Sequence, residues 1–314
     1  MERDQYGYII LNDFDKVELN IKGRKQKIWL QKGDKKYLFK QGASNYEIWA
    51  ELIAEEIGKQ CGLNMAHYDL GIYHNQLGLI SESFLKNNEK IYSGDVLIKA
   101  SKEISKENNE AYVYDNSVES MINILSNFYN FSLSNDIFLK LSKLWLFDGI
   151  IMESDRNSTN WGFISKGNEL DLAPIYDCST MARLNNNISD FISAMRKGIS
   201  IESFTNDIQH SLKFFSQFEG NFVSEFSIWC NKYYRISKKI VEPFFCIDVD
   251  KAISTLETRL NEGKKDTENL LQVPYECSFW LKKSIENRLD TIKFIYNDIR
   301  NNKIENNQKT EKSK

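Results

Sequence analysis

Hydrophobic residues alternate with polar ones, or come in short runs, through the first hundred positions; beyond Val118 they recur at helical spacing. Residues 16–21 alternate, Ile28-Trp29-Leu30 is a short apolar run, Gly33-Asp34 is a turn pair, and 37–40 resumes a strand, which predicts an antiparallel meander. Ser44-Asn45 then offers a helix start, and Ile48, Leu52, Ile53 and Ile57 hold one face until Gly62 stops the run. Strands are predicted over 66–73 and 78–84, joined by His74-Asn75-Gln76. The chain turns polar over 87–117, and helical periods follow at 121–131, 137–151, 211–240, 249–260 and 275–299, broken by an irregular patch at 153–181. Residues 301–314 are polar, have no apolar partner and are expected to be disordered.

These patterns predict an α+β protein in two lobes. A β-rich lobe with one helix spans 1–86, a polar connection 87–117, a helical lobe 118–300 and a disordered tail 301–314. The cleft between two such lobes is where a small ligand is expected.

Composition narrows the chemistry. With 41% hydrophobic and 27% charged residues the chain is globular, and a net charge of −3 gives no overall basic field, so no direct nucleic-acid partner is expected. Five cysteines without a C-x-x-C spacing read as reduced thiols and exclude a zinc site of that kind. The start, MERDQYGYIIL, puts charges where a signal peptide needs an apolar core, and no stretch approaches the ~18 apolar residues of a membrane span. A soluble, cytoplasmic protein is expected. With only His67, His74 and His210, none beside a nucleophile, catalysis should rest on carboxylates, amides and lysines.

The irregular patch carries those groups. Asp155 and Asn160 stand at D-x-x-x-x-N spacing on the loop that leaves the apolar helix, and a short hairpin, with a turn at Lys166-Gly167-Asn168, leads to Asp177. Phosphoryl transfer needs such a set: one carboxylate to orient the attacking hydroxyl, an amide oxygen and a second carboxylate to hold Mg²⁺. Alone the spacing is weak, because Asp–Asn loops are usually turns. It gains weight from Lys40 on the third strand, followed by a helix bearing Glu47, Glu51 and Glu55, since a strand lysine paired to a helix glutamate positions the α- and β-phosphates in kinases.

The stretches Tyr37-Leu-Phe-Lys40, Glu47 to Gly58, Gly62-Leu63, Asp155-Arg-Asn-Ser-Thr-Asn160-Trp-Gly-Phe and Leu172-Ala-Pro-Ile-Tyr-Asp177 resemble the HipA-like kinases, in the compact form that consists of the kinase part alone. The resemblance covers roughly residues 17–200. It implies a two-lobed kinase-like fold, ATP and Mg²⁺ as cofactors, and a Ser/Thr acceptor on protein, the chain itself included. It implies Asp155 as catalytic base, Asn160 and Asp177 as magnesium ligands, Lys40 as the phosphate-binding lysine and Glu51 as its helix partner. It further implies a hinge at Glu82, Ser83 and Phe84 meeting adenine, and a phosphate-covering loop over 22–27 that includes Gly23, Arg24 and Lys25. An antitoxin-type regulator is the partner class it suggests.

The chain departs from that family in one visible place: Asn157 stands where many relatives have a histidine, two residues after the catalytic aspartate. That departure keeps a nucleotide-binding pseudokinase open beside the protein kinase, and a small-molecule or lipid-head-group kinase stays open because the motifs fix nucleotide chemistry and say little about the acceptor. Met195-Arg-Lys-Gly198 reads most simply as a solvated basic turn, Trp145, Phe147 and Trp161 as core aromatics that pin the catalytic loop, and Cys178 as a thiol with nothing nearby to activate it.

Overall fold

The computed structural model of the protein describes the chain outside residues 18–26, 42–43, 87, 109–113, 130–134, 168, 185–195, 199, 207–210, 263, 265–270 and 313–314. Gly23, Arg24, Lys25 and Met195 thus lie outside the described residues. The expected meander is present as β2 (Asp15–Val17), β3 (Lys27–Lys32) and β4 (Lys35–Gln41), turning at Gly33, whose φ of +61° suits glycine. Together with β1 (Ile9–Ile10), β5 (Asp69–Tyr73) and β6 (Gln76–Glu82) it makes a six-stranded sheet in the order β1-β5-β6-β4-β3-β2, antiparallel except where β1 runs beside β5. Register places Lys27 directly opposite Lys40. Like charges in that position repel, so the pair needs carboxylates close by.

Helix α1 (Asn45–Gln60) follows β4 and ends as expected: Leu63 N–H returns to the Gly58 carbonyl (3.0 Å), with Gly62 at φ +68°. The apolar face read from the sequence understates its burial, because Glu47, Glu51, Glu55 and Glu56 are buried too. Each carboxylate inside must find a cation or donor. Glu55 meets His67 (2.6 Å) and, with Glu56, meets Arg259 of the later helix α8 (Val249–Leu260) at 3.4 and 3.2 Å.

Residues 87–117 were expected to be a polar connection, yet they hold β7 (Lys90–Ser93) and α2 (Gly94–Glu107). The buried positions of α2 are Gly94, Leu97, Ser101 and Ser105, with Ile98 packed beside them, so half of its buried positions are serines and the segment reads as polar along the chain. Helices α3 (Val118–Tyr129) and α4 (Asn135–Ile151) come next, the latter buried along most of its length and running straight into the irregular patch. That patch carries β8 (Gly162–Lys166) and β9 (Glu169–Leu172), and β7 adds to them as a third strand. The second arm leaves the sheet at Leu172 instead of running on to Asp177. Pro174 lacks a donor, and Ile175 pairs instead with Asn64 and Ala66 beyond α1, carrying the chain toward the small lobe.

Further α-helices among the described residues include α5 (Ile201–Asn206), α6 (Phe222–Lys232), α7 (Tyr234–Val241), α8 and α9 (Tyr275–Lys312). The helical period over 211–240 is thus split: Asn221 caps α6 by accepting from Ser224 N–H (2.9 Å), and the residues before it are irregular. Residues 301–312 are helical, not the disordered tail expected, since α9 contains no Gly or Pro that would stop it. Among the described residues no helix is long and apolar enough to cross a membrane.

Trp145 and Phe147 are fully buried and Trp161 nearly so, as core aromatics should be. Trp145 donates to Glu225 (3.0 Å) and lies against Phe214, Phe222 and Trp229. A Cβ on Gly149 would stand 2.0 Å from the Phe222 ring. Gly149→Ala is therefore expected to destabilise by about 1–3 kcal/mol through overpacking, read as a lower denaturant midpoint at unchanged slope. An unchanged midpoint would show that Phe222 can move aside.

Candidate active site

The floor of the small lobe brings four charged groups together. Lys40 Nζ, almost fully buried, donates to both Glu51 and Asp177, and Lys27 Nζ stands 3.2 Å from the other Asp177 oxygen. The opposed lysines of β3 and β4 thus share one carboxylate. Burial alone lowers the Lys40 pKa, but Glu51 and Asp177 outweigh it and hold the ammonium above the ordinary lysine value. Of the three glutamates in step along α1, Glu51 is the one that meets Lys40; its second oxygen accepts from Cys178 N–H (2.9 Å). Asp177 adopts a left-handed backbone (φ +60°), unusual outside glycine and a common mark of functional sites. Its N–H donates to the Tyr68 hydroxyl (3.4 Å).

The Asp155 loop is built from its own side chains. Asp155 is exposed, and its Oδ1 accepts from Asn157 Nδ2 (2.8 Å). Asn157 Oδ1 in turn accepts from Thr159 N–H (2.9 Å). Asn160 is buried and spends Nδ2 on the Asp155 carbonyl (2.7 Å), which turns its Oδ1 away from that bond. Asn157 thereby steers the aspartate without carrying a charge of its own.

Arg156 joins this loop to Asp177. Fully buried, it grips Asp148 of α4 with two bonds of 2.9 Å, reaches the Asn160 carbonyl (2.9 Å) and the Tyr176 carbonyl, and contacts Cys178 Sγ (3.2 Å). One side chain thus fixes the Asp155–Asn160 loop against the residue before Asp177. Burial pushes the Cys178 thiol well up, with Arg156 only partly opposing, so it is inert.

Glu153 is buried, and Arg156, the cation that acts on it, is held by Asp148 through two bonds. Burial raises its carboxyl to about 8, Arg156 opposes and Asp148 adds to the rise. The folded state therefore binds this proton more tightly than an unfolded chain at about 4.5. The stability it contributes is complete below that lower value and is lost as pH rises through about 8. Between about pH 5 and about pH 9 the wild type is expected to lose stability relative to Glu153→Gln. Parallel unfolding curves for the two proteins would overturn that expectation.

A cleft of about 190 Å³ opens in front of Lys40 and Asp177, with Tyr68, Phe84 and Tyr176 in its wall. Phe84 and Tyr176 stack at 6.3 Å between ring centroids and 24° between planes. Glu82 and Ser83 also line it, but the Glu82 carboxylate faces Lys35 (2.9 Å) and Ser83 N–H is given to the Lys36 carbonyl (2.8 Å). Among the described residues no three His, Cys, Asp or Glu side chains could cage a metal. One carboxylate and one amide oxygen nonetheless suit Mg²⁺ that arrives on a polyphosphate, because phosphates and water complete its shell. Arg196 and Lys197 are exposed, as a solvated turn would be.

Sequence reasoning placed Lys27 at the end of the phosphate-covering loop but not opposite Lys40, and it assigned no role to Tyr68, Glu153, Arg156 or Tyr176. The place of Lys27 beside Asp177 becomes visible only through its register with Lys40, and Arg156 only once its burial is known.

The small sheet with one buried helix, the helical lobe and the cleft between them define an α+β protein with the fold of the HipA-like kinases. Among solved structures it is similar to the Helicobacter pylori proinflammatory kinase CtkA, with a TM-score of 0.71 and 15% identity over 94% of this chain and 98% of that one. It is also similar to HipA of Shewanella oneidensis MR-1, solved with HipB and operator DNA, with a TM-score of 0.53 and 12% identity over 90% of this chain and 67% of that one. No protein-family model and no curated protein matches the chain.

Proposed function

We propose that the protein is an ATP-dependent phosphotransferase acting on Ser or Thr hydroxyls of protein, its own included. The observation that carries this reading is the convergence of Lys40, Lys27, Glu51 and Asp177 in the cleft, with the Asp155–Asn160 loop tied to Asp177 through Arg156. On nucleotide binding, Lys40 and Lys27 exchange Asp177 for phosphate oxygens, and Asp177 with Asn160 Oδ1 would hold Mg²⁺. Bound there, Mg²⁺ neutralises charge on the phosphates. Phe84 and Tyr176 give adenine an apolar wall. Asp155 accepts the proton of the attacking hydroxyl as its oxygen bonds to the γ-phosphorus and the bond to the ADP oxygen breaks. Glu51 keeps Lys40 aimed throughout.

Asn157 is the reason to weigh a pseudokinase. Its bond to Asp155 favours the active reading, since the base is oriented without the histidine. The HipA neighbour was solved with HipB, and a protein regulator of that type is the partner class proposed here.

The test is incubation with γ-labelled ATP and Mg²⁺ beside Asp177→Ala, with mass spectrometry of any labelled residue. Label on Ser or Thr of the wild type alone is expected, with transfer by the variant down about 10³-fold or more. Mg-ATP binding without transfer would favour the pseudokinase, and turnover with label only on added small molecules or lipids would move the acceptor class.

A further inference from the structure

We propose that Glu153 and Thr180 are positioning residues for phosphoryl transfer, their contact strapping the backbone at Asp155 to the segment that follows Asp177. The inference rests on the reading of the cleft as a phosphotransferase site. The Thr180 hydroxyl donates to Glu153 Oε1 and accepts from Ser154 N–H (3.2 Å), while the same Glu153 oxygen accepts from Asp155 N–H (2.7 Å). A single buried oxygen thus gathers the amide of the proposed base and a hydroxyl from three residues beyond the proposed magnesium ligand.

The strap complements Arg156. That arginine ties the residue after Asp155 to the carbonyl of Tyr176, just before Asp177; Glu153 and Thr180 tie the residues before Asp155 to the segment after Asp177. The two ties lie on opposite flanks of both aspartates and add to the backbone bonds that Asn116 and Asp95 make to the same loop. Position matters here, because displacement of a reacting group by about 1 Å costs on the order of 10²-fold in rate.

The arrangement is costly for folding. Glu153 is fully buried and its Oε2 has no hydrogen-bond partner among the described residues. An unpartnered buried oxygen opposes stability, so the carboxyl is poorly explained as a packing element.

The variants that separate positioning from folding are Thr180→Val, which keeps the shape and loses the hydroxyl, Thr180→Ser, which restores it, and Glu153→Gln, which keeps an acceptor oxygen. Mg-ATP affinity by calorimetry, thermal midpoint, and kcat and KM for ATP are measured on the full chain. Thr180→Val is expected to lower kcat by about 10–100-fold with KM and affinity within about threefold, while Thr180→Ser and Glu153→Gln stay within about fivefold of wild type. Wild-type turnover in Thr180→Val, a Thr180→Ser as impaired as the valine variant, or a parallel loss of ATP affinity and thermal midpoint would each overturn the proposal. A wild type that neither binds Mg-ATP nor transfers phosphate would instead bring down the phosphotransferase reading itself.

Discussion

Asp155→Asn is expected to reduce phosphoryl transfer by about 10²–10⁴-fold while leaving Mg-ATP binding and the fold in place. The bonds that shape the loop at this residue use its backbone: its N–H to Glu153, its carbonyl to Asn160 and to Asn157 N–H. All of them survive the change. What disappears is the carboxylate oxygen proposed to receive the proton, and the bond from Asn157 Nδ2 can be kept by the new amide oxygen. Because the side chain is exposed, the cost to stability should stay within about 0.5 kcal/mol. Initial rates of label transfer with calorimetric titration check both halves. A rate within tenfold of wild type would remove Asp155 from the role of base.

Arg156→Met is expected to be the most destabilising single change at the site, by about 3–5 kcal/mol. It removes the guanidinium that grips the buried Asp148 carboxylate with two bonds and takes the donor from the Asn160 and Tyr176 carbonyls. Equilibrium denaturation measures it, and a loss below about 1 kcal/mol would mean that Asp148 finds another partner or a proton. Pairing the change with Asp148→Leu should recover much of the stability, because removing both charges is far milder than removing one. Phosphoryl transfer should not recover with it, since the Asn160 and Tyr176 carbonyls still lack their shared donor.

The meander, α1 with both of its ends, and the pairing of a strand lysine with a helix glutamate were legible because each has a local signature: alternation, a Ser cap, a closing Gly62. The helix α2 was not, because Ser101 and Ser105 occupy its buried face. The end of α9 was misread for a related reason: polar residues say nothing against a helix that has no breaker. At the site, Asp155, Asn160 and Asp177 announce themselves by spacing, whereas Arg156 looks like any surface arginine until its partners on α4 and before Asp177 are known. Lys27 belongs with it, since cross-strand register is invisible along the chain.

The bond from Ser83 N–H to the Lys36 carbonyl bears on inhibitor chemistry. A flat heteroaromatic compound that seeks a backbone donor at Ser83 finds it already spent on the sheet, and taking it would mean prising β4 from the segment that follows β6. Compounds that instead slide an apolar ring against Phe84 and Tyr176 and place an anionic group toward Lys27 and Lys40 avoid that competition. A screening library chosen for this cleft should therefore be weighted toward acidic aromatics rather than toward donor–acceptor hinge mimics.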